Sequence, residues 1–161
     1  MKLARLFLLP LLALSLMGMG KKQTVSVRFH VQANPRDGES FAVPAKFHNP
    51  DRDGFVERVA SVSEREIAAI RPVPAQDDSF GCVFKLDLHG TIGLQTLSTE
   101  RRGAVVVPVV NTKAGPRQLP EMIIDKPITD GIIYIPRGFT QLEINELQKQ
   151  FPLIGQTGKR K

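Results

Sequence analysis

The side chains of this 161-residue chain that could do chemistry are few and widely spaced. Three histidines are present, His30, His48 and His89, and none has a partner at a short spacing such as His-x-x-x-His. Closed zinc sites are built from local ligand pairs, so the histidines and the single cysteine, Cys82, predict no zinc centre. Because Cys82 lies in an apolar, strand-like stretch, we expect a buried thiol rather than a nucleophile.

Two groups of acidic residues have spacings that can be compared with known sites. Asp51-Arg-Asp53-Gly54 resembles the start of a calcium loop, but Ala60 stands where that loop needs a bidentate glutamate. Asp125 and Asp130 flank a proline turn, where short acidic residues commonly cap the chain. Hydrolase, Walker and dinucleotide-binding motifs are absent from the sequence. We therefore expect no enzyme, no cofactor and no metal.

The charge is concentrated at the ends of the chain. The whole chain has a formal net charge of +6, yet residues 23–158 carry 15 basic and 16 acidic residues. A domain without a positive field is not expected to bind nucleic acid specifically. The basic C-terminal residues Lys159, Arg160 and Lys161 form a short tail.

Residues 1–20 have the pattern of a secretory signal peptide. Lys2 and Arg5 precede an apolar run, and the small residues Gly18 and Gly20 follow at its end. The run is shorter than the roughly 20 apolar residues that a membrane-spanning helix needs. We therefore expect export to the periplasm or the extracellular space, with an uncleaved N-terminal anchor that holds the protein at the membrane as the alternative.

Apolar–polar alternation predicts strands over residues 24–31, 41–47, 55–62, 82–88, 104–110, 122–124 and 131–135. Pro44 and Pro108 interrupt two of these strands and indicate an edge or a bulge. Residues 48–54 and 113–117 have the composition of loops, and Gly90 is expected to end a strand.

Three helices are predicted. Ser63 and Glu66 have the spacing of a capping box and start a short helix that ends at Ile70. The second covers residues 91–102, and its inward positions are Ile92, Leu94 and Leu97. The third opens with the capping box of Thr140 and Glu143, and its apolar side consists of Leu142, Ile144, Leu147 and Phe151.

The order of these elements predicts an α+β fold in a ferredoxin-like arrangement, with a mainly antiparallel sheet and helices on one face. Four segments are expected along the chain. They are a signal peptide (1–20), N-terminal strands and a loop (21–54), an α+β domain (55–154) and a basic tail (155–161).

Two motifs near the C-terminus are Pro127-Ile-Thr-Asp-Gly131 and Arg137-Gly-Phe-Thr-Gln-Leu-Glu143. They correspond to the patterns Pro-Ile-x-x-Gly and Gly-x-Phe-Thr-x-x-Glu, and with them residues 82–153 resemble the head of the first periplasmic domain of SecD, part of the SecDF protein-export factor. Asp130 stands where the family has the first of two glycines. Structurally, Gly131 permits a positive φ at the turn and Thr140 caps the helix.

The resemblance implies the SecD-head fold and the binding of an exporting polypeptide in the cell envelope. We therefore expect a non-enzymatic exported domain that binds a protein partner or an unfolded polypeptide. An exposed sheet edge is the natural surface, and the hairpin from Val109 to Ile124 is the candidate edge. The expected contact residues are Leu119, Met122 and Phe139, with core packing as the alternative for the last two. The alternative function is binding of an anionic surface through the basic termini, chiefly the tail Lys159–Lys161.

Overall fold

The computed structural model describes residues 25–48 and 50–156; the expected signal peptide and residues 157–161 of the expected basic tail lie outside them. The described chain is α+β, as the sequence predicts, with antiparallel strands throughout its three sheets. Its elements are β1 (Ser26–Val31), β2 (Ala42–His48), β3 (Asp51–Glu57), β4 (Ile67–Pro74), β5 (Phe80–Leu86), α1 (Leu88–Glu100), β6 (Val105–Thr112), β7 (Gly115–Gln118), β8 (Met122–Ile123), β9 (Ile132–Phe139) and α2 (Gln141–Gln150).

The strands are divided among three sheets, whereas the element order predicts one. In the β6 sheet, β1 pairs with one side of β6, and β7 and β8 pair with the other side. The β5 sheet has the order β4-β5-β9, and β2 and β3 form a separate hairpin. Both edges of β5 are paired, one with β4 and one with β9, and after β5 the chain passes through α1 into β6 of a different sheet.

Strand β1 shows the alternation that its sequence predicts. Val25, Val27, Phe29 and Val31 are all buried, and they join the same core as β5 and β9. Phe29 contacts Phe84 of β5 edge-to-face, with ring centroids 5.6 Å apart. The N-terminal strand therefore shares one core with the α+β domain, and the expected boundary after residue 54 falls inside β3.

The predicted loop over residues 48–54 is wrong, because Asp51–Gly54 belong to β3 and pair with β2. Charged side chains on an exposed hairpin give the composition of a loop, although the backbone is extended. Similarly, residues 115–117 of the second predicted loop pair with β6 as β7. In the β2–β3 hairpin, Phe47 is buried beneath Arg52, whose guanidinium carbon lies 5.1 Å from the ring centroid.

The predicted helix from Ser63 to Ile70 is also wrong. One of the two capping-box bonds does form, since the Ser63 N–H donates to Glu66 Oε2 at 2.7 Å. The chain then enters β4, in which Pro72 and Pro74 favour extended conformations for the residues before them. Strand β4 pairs with β5 along the whole of β5, and this pairing stabilises the extended conformation over the helical one.

Pro108 lies in the central strand β6 and not at an edge. The main-chain groups of the opposite residue, Phe29, point away from β6 and bond to Val62 and Ser61. The Pro108 carbonyl faces the other side, where it accepts from the Leu119 N–H at 2.9 Å. Because Pro108 has no N–H, its pair with Leu119 keeps only this one hydrogen bond, and the missing bond falls in the interval between β7 and β8.

Both remaining helices form where the sequence places them, with differences at particular residues. Asp87 caps α1 by accepting from the Gly90 N–H at 2.8 Å, so Gly90 lies within the helix and does not end a strand. Ile92 and Leu142 are exposed, in contrast to their predicted inward positions. The predicted capping box of α2 is confirmed, and Ile144, Leu147 and Phe151 are buried.

Candidate functional site

The expected partner-contact residues occupy different environments. Leu119 and Phe139 are buried at 2% and 0% exposure, so the prediction that they form a contact surface is wrong. Both side chains pack into the main core, where Phe139 lies 6.0 Å from Phe84 between ring centroids. Met122 in β8 is half-buried at the wall of a cavity. Lys159, Arg160 and Lys161 lie outside the described residues.

An apolar cavity of about 150 Å³ opens between the β6 sheet, α1 and β9. Its lining contains no carboxylate, ammonium, guanidinium or imidazole group. Its wall is formed by Phe29, Ser61, Val62, Leu94, Leu97, Val106, Met122, Ile123, Ile124, Ile128, Ile132, Ile133 and Tyr134. A cavity with this lining excludes charged groups, because their lost hydration would not be compensated.

Two large side chains in the cavity wall are also exposed to solvent. Ile123 of β8 is 62% exposed and Tyr134 of β9 is 49% exposed. Large apolar side chains exposed singly are common on protein surfaces, but two of them beside an open apolar cavity indicate an interaction site. Neither residue is among the contacts predicted from sequence.

The turn between β8 and β9 forms one end of the cavity. Its Ile128 N–H donates to the buried Ser98 hydroxyl of α1 at 2.8 Å. Gly131 has a φ of 65°, as predicted, and a side chain there would collide with Thr91 of α1. The Pro-Ile-x-x-Gly sequence thus holds this turn against α1 and positions the cavity wall.

A polar cluster formed by Glu143, Arg117 and Thr140 holds α2 against β7. Glu143, 7% exposed, accepts from Arg117 Nη2 at 2.6 Å and from the Thr140 N–H at 2.8 Å. Burial works to raise the pKa of Glu143, but the hydrogen bonds and the charge of Arg117, together with the Thr140 N–H, lower it overall. Arg117 also donates to the Gly138 carbonyl at 3.0 Å, which ties in the end of β9. Thr140 and Glu143 therefore have the structural roles predicted for them.

The residues considered for chemistry lie apart from one another. Cys82 is fully buried, as predicted, and burial raises the pKa of its thiol to about 12, which keeps it protonated. The three histidines contact different partners, namely Glu57, Glu121 and Glu66. Within residues 25–48 and 50–156, no group of three potential metal ligands occurs. In the same part of the chain, no helix has the length and apolar character needed to cross a membrane.

No protein-family model matches the chain, and no curated protein sequence matches it. Two solved structures are similar, each at 13% sequence identity. One is of SecDF, a membrane component that enhances protein export; the match has a TM-score of 0.51 and covers 78% of this chain and 60% of the other. The second is the crystal structure of SecDF in its super-membrane-facing form, with a TM-score of 0.50 and coverage of 76% and 18%. This chain therefore spans less than two thirds of each SecDF chain, and it has the fold of that part of SecDF.

Proposed function

We propose that this domain binds a segment of another protein at the apolar cavity and acts in protein export. The observation that carries the proposal is the open, uncharged cavity with Ile123 and Tyr134 exposed beside it. The similarity in fold to SecDF, a membrane component that enhances protein export, supports export as the process.

The size of the cavity limits what it can hold. An apolar cavity of about 150 Å³ lined by aliphatic and aromatic residues has room for a molecule of the size of benzene. The expected occupant is thus one aromatic or branched aliphatic side chain, whose burial contributes about 1.5–3 kcal/mol. An anchor of this strength favours transient binding, which suits a domain that must release an exporting chain.

The proposed role is binding without catalysis, outside the cytoplasm. The signal-peptide pattern of residues 1–20 supports this location. The thiol of Cys82, the only cysteine, is buried and protonated, and the cavity wall offers no carboxylate or imidazole as an acid or base.

Substitution at the cavity tests the proposal. The probe is a fluorescently labelled, reduced and alkylated polypeptide that stays unfolded, and binding is followed by fluorescence anisotropy. Ile123→Asp places a carboxylate beside the cavity and is expected to weaken binding at least about tenfold, given the energy of one buried anchor. Leu142→Asp is the matched control, because Leu142 is 72% exposed on α2 and is not part of the cavity wall. Equal effects of the two substitutions would contradict the proposal.

A further inference from the structure

We propose that the partner segment binds as an extended strand added to the free edge of β9, hydrogen-bonded to the main chain of Tyr134, with one apolar side chain in the cavity. This inference rests on the proposed function and adds the conformation of the ligand and the atoms that recognise it.

The pairing of β9 with β5 determines which of its main-chain groups are free. The Leu86 N–H donates to the Gly131 carbonyl at 2.9 Å, so these residues form a hydrogen-bonded pair. Along an antiparallel ladder, such pairs alternate with pairs whose main-chain groups point outward. Tyr134, opposite Val83, falls at an outward position three residues along. Its N–H and C=O therefore point away from β5, at the strand edge beside the cavity.

The main-chain N–H groups on either side of Tyr134 are not available to a ligand, so only a short stretch of the β9 edge can pair with an added strand. The Ile132 N–H is already bonded to Asp130 Oδ1 at 3.0 Å. Pro136 has no N–H, and the Gly138 N–H donates to the Ser79 hydroxyl at 3.0 Å. A ligand strand is therefore expected to bind in one register, centred on Tyr134.

Other long strand edges are less accessible. The edge of β4 is covered by the C-terminal segment, because the Ile70 N–H donates to the Pro152 carbonyl and the Ile154 N–H donates to the Ile70 carbonyl. Along the outer edge of β2, the N–H groups of Ala42 and His48 are already bonded, and Pro44 between them has no donor. The edge of β9 differs because an apolar cavity lies directly beside it.

The cavity and the edge together define the ligand chemistry. Main-chain hydrogen bonds do not depend on side-chain identity, so segments of many sequences can bind. The uncharged cavity wall requires one apolar side chain at a single position of the segment and disfavours a charge there. The occupant is therefore an extended polypeptide segment with an uncharged apolar residue.

Alternate N-methylation of a peptide tests strand addition. The probe is the labelled, capped peptide Thr-Val-Thr-Leu-Thr-Val-Thr, compared with two versions N-methylated at alternate residues. In an added strand, every second N–H faces β9. We expect one methylated version to lose at least tenfold in affinity and the other to bind within about threefold of the parent peptide. Equal affinities of the two versions would overturn strand addition.

Substitution of Tyr134 provides a second test. Tyr134→Pro removes the outward N–H and leaves the pairing with β5 in place, whereas Tyr134→Ala removes the ring and keeps the N–H. We expect Tyr134→Pro to bind the parent peptide at least tenfold more weakly than Tyr134→Ala, with thermal unfolding of the two variants compared as the control for folding. If Ile123→Asp abolishes binding while N-methylation and Tyr134→Pro do not matter, the cavity function stands and strand addition is wrong. Absence of parent-peptide binding to the unmodified protein would overturn both.

Discussion

Replacement of Glu143 by glutamine is predicted to lower the free energy of unfolding, and the size of the loss follows from the contacts of Glu143. Its carboxylate is nearly buried and accepts hydrogen bonds from Arg117 and from the Thr140 N–H. Arg117 Nη2 and the Thr140 N–H both donate to Oε2, and Arg117 Nε donates to Oε1 at 3.3 Å. Glu143→Gln can keep an acceptor oxygen at the Oε2 position for both donors, but it turns an amide donor towards Arg117 Nε. The loss is one charge-assisted hydrogen bond, worth about 1.5–3 kcal/mol, and the lower end applies because Arg117 is 44% exposed and can regain water.

A loss of about 1.5 kcal/mol corresponds to a decrease in Tm of about 5 °C for a domain of this size. Differential scanning calorimetry at pH 7 measures it directly. The matched control is Glu100→Gln, at an exposed residue at the end of α1, where a change within about 0.5 kcal/mol is expected.

The pH dependence of the same variant checks the mechanism. The folded-state pKa of Glu143 is lowered relative to the unfolded chain, so its contribution is fully present above the unfolded value of about 4.3 and is lost as the pH falls through the folded value. The stability gap between the protein and Glu143→Gln should thus stay constant from pH 7 to about pH 5.5 and close at lower pH. A gap that persists after protonation, or a loss equal to that of Glu100→Gln, would refute the reasoning.

Three further outcomes are expected. Gly131→Ala should cost at least about 2 kcal/mol in urea unfolding, because strain at positive φ adds to a collision with Thr91, whereas Gly103→Ala, with open space around it, should cost about 1 kcal/mol. Cys82 should react with a thiol reagent at pH 8 about a thousandfold more slowly in the folded protein than in denaturant. Thr140→Ala should lower the stability by about 1 kcal/mol, and Thr140→Ser should restore most of it in the same assay.

Local signals in the sequence predict the elements well where neighbouring signals agree. The alternation through Val25, Val27, Phe29 and Val31 predicts a strand with one buried face, and the Thr140 capping box predicts α2. At Ser63 two signals conflict, because a capping box is followed by two closely spaced prolines, and pairing with β5 decides the outcome. Non-local pairing also decides how the strands are divided among sheets, which no local pattern contains.

The candidate site is harder to predict from the sequence than the fold, because it is formed by residues that tertiary packing brings together. Met122, a predicted contact residue, lines the cavity, whereas the other two predicted contacts, Leu119 and Phe139, are buried in the core. Ile123 and Tyr134 are not among the contacts predicted from sequence, because the exposure of a side chain depends on tertiary packing. One signal was present: Pro136 lies two residues after Tyr134, and proline in a strand indicates an edge.

The central claim, that the cavity binds exporting polypeptides, is tested most directly by site-specific photocrosslinking in cells that produce the protein. A photoreactive residue in place of Ile123 reports on the cavity, and the same residue in place of Leu142 reports on an exposed position elsewhere. Mass spectrometry identifies the captured chains. We predict capture of several different exporting polypeptides from position 123 and much less from position 142. Equal capture from both positions, or no capture of exporting chains from position 123, would contradict the account.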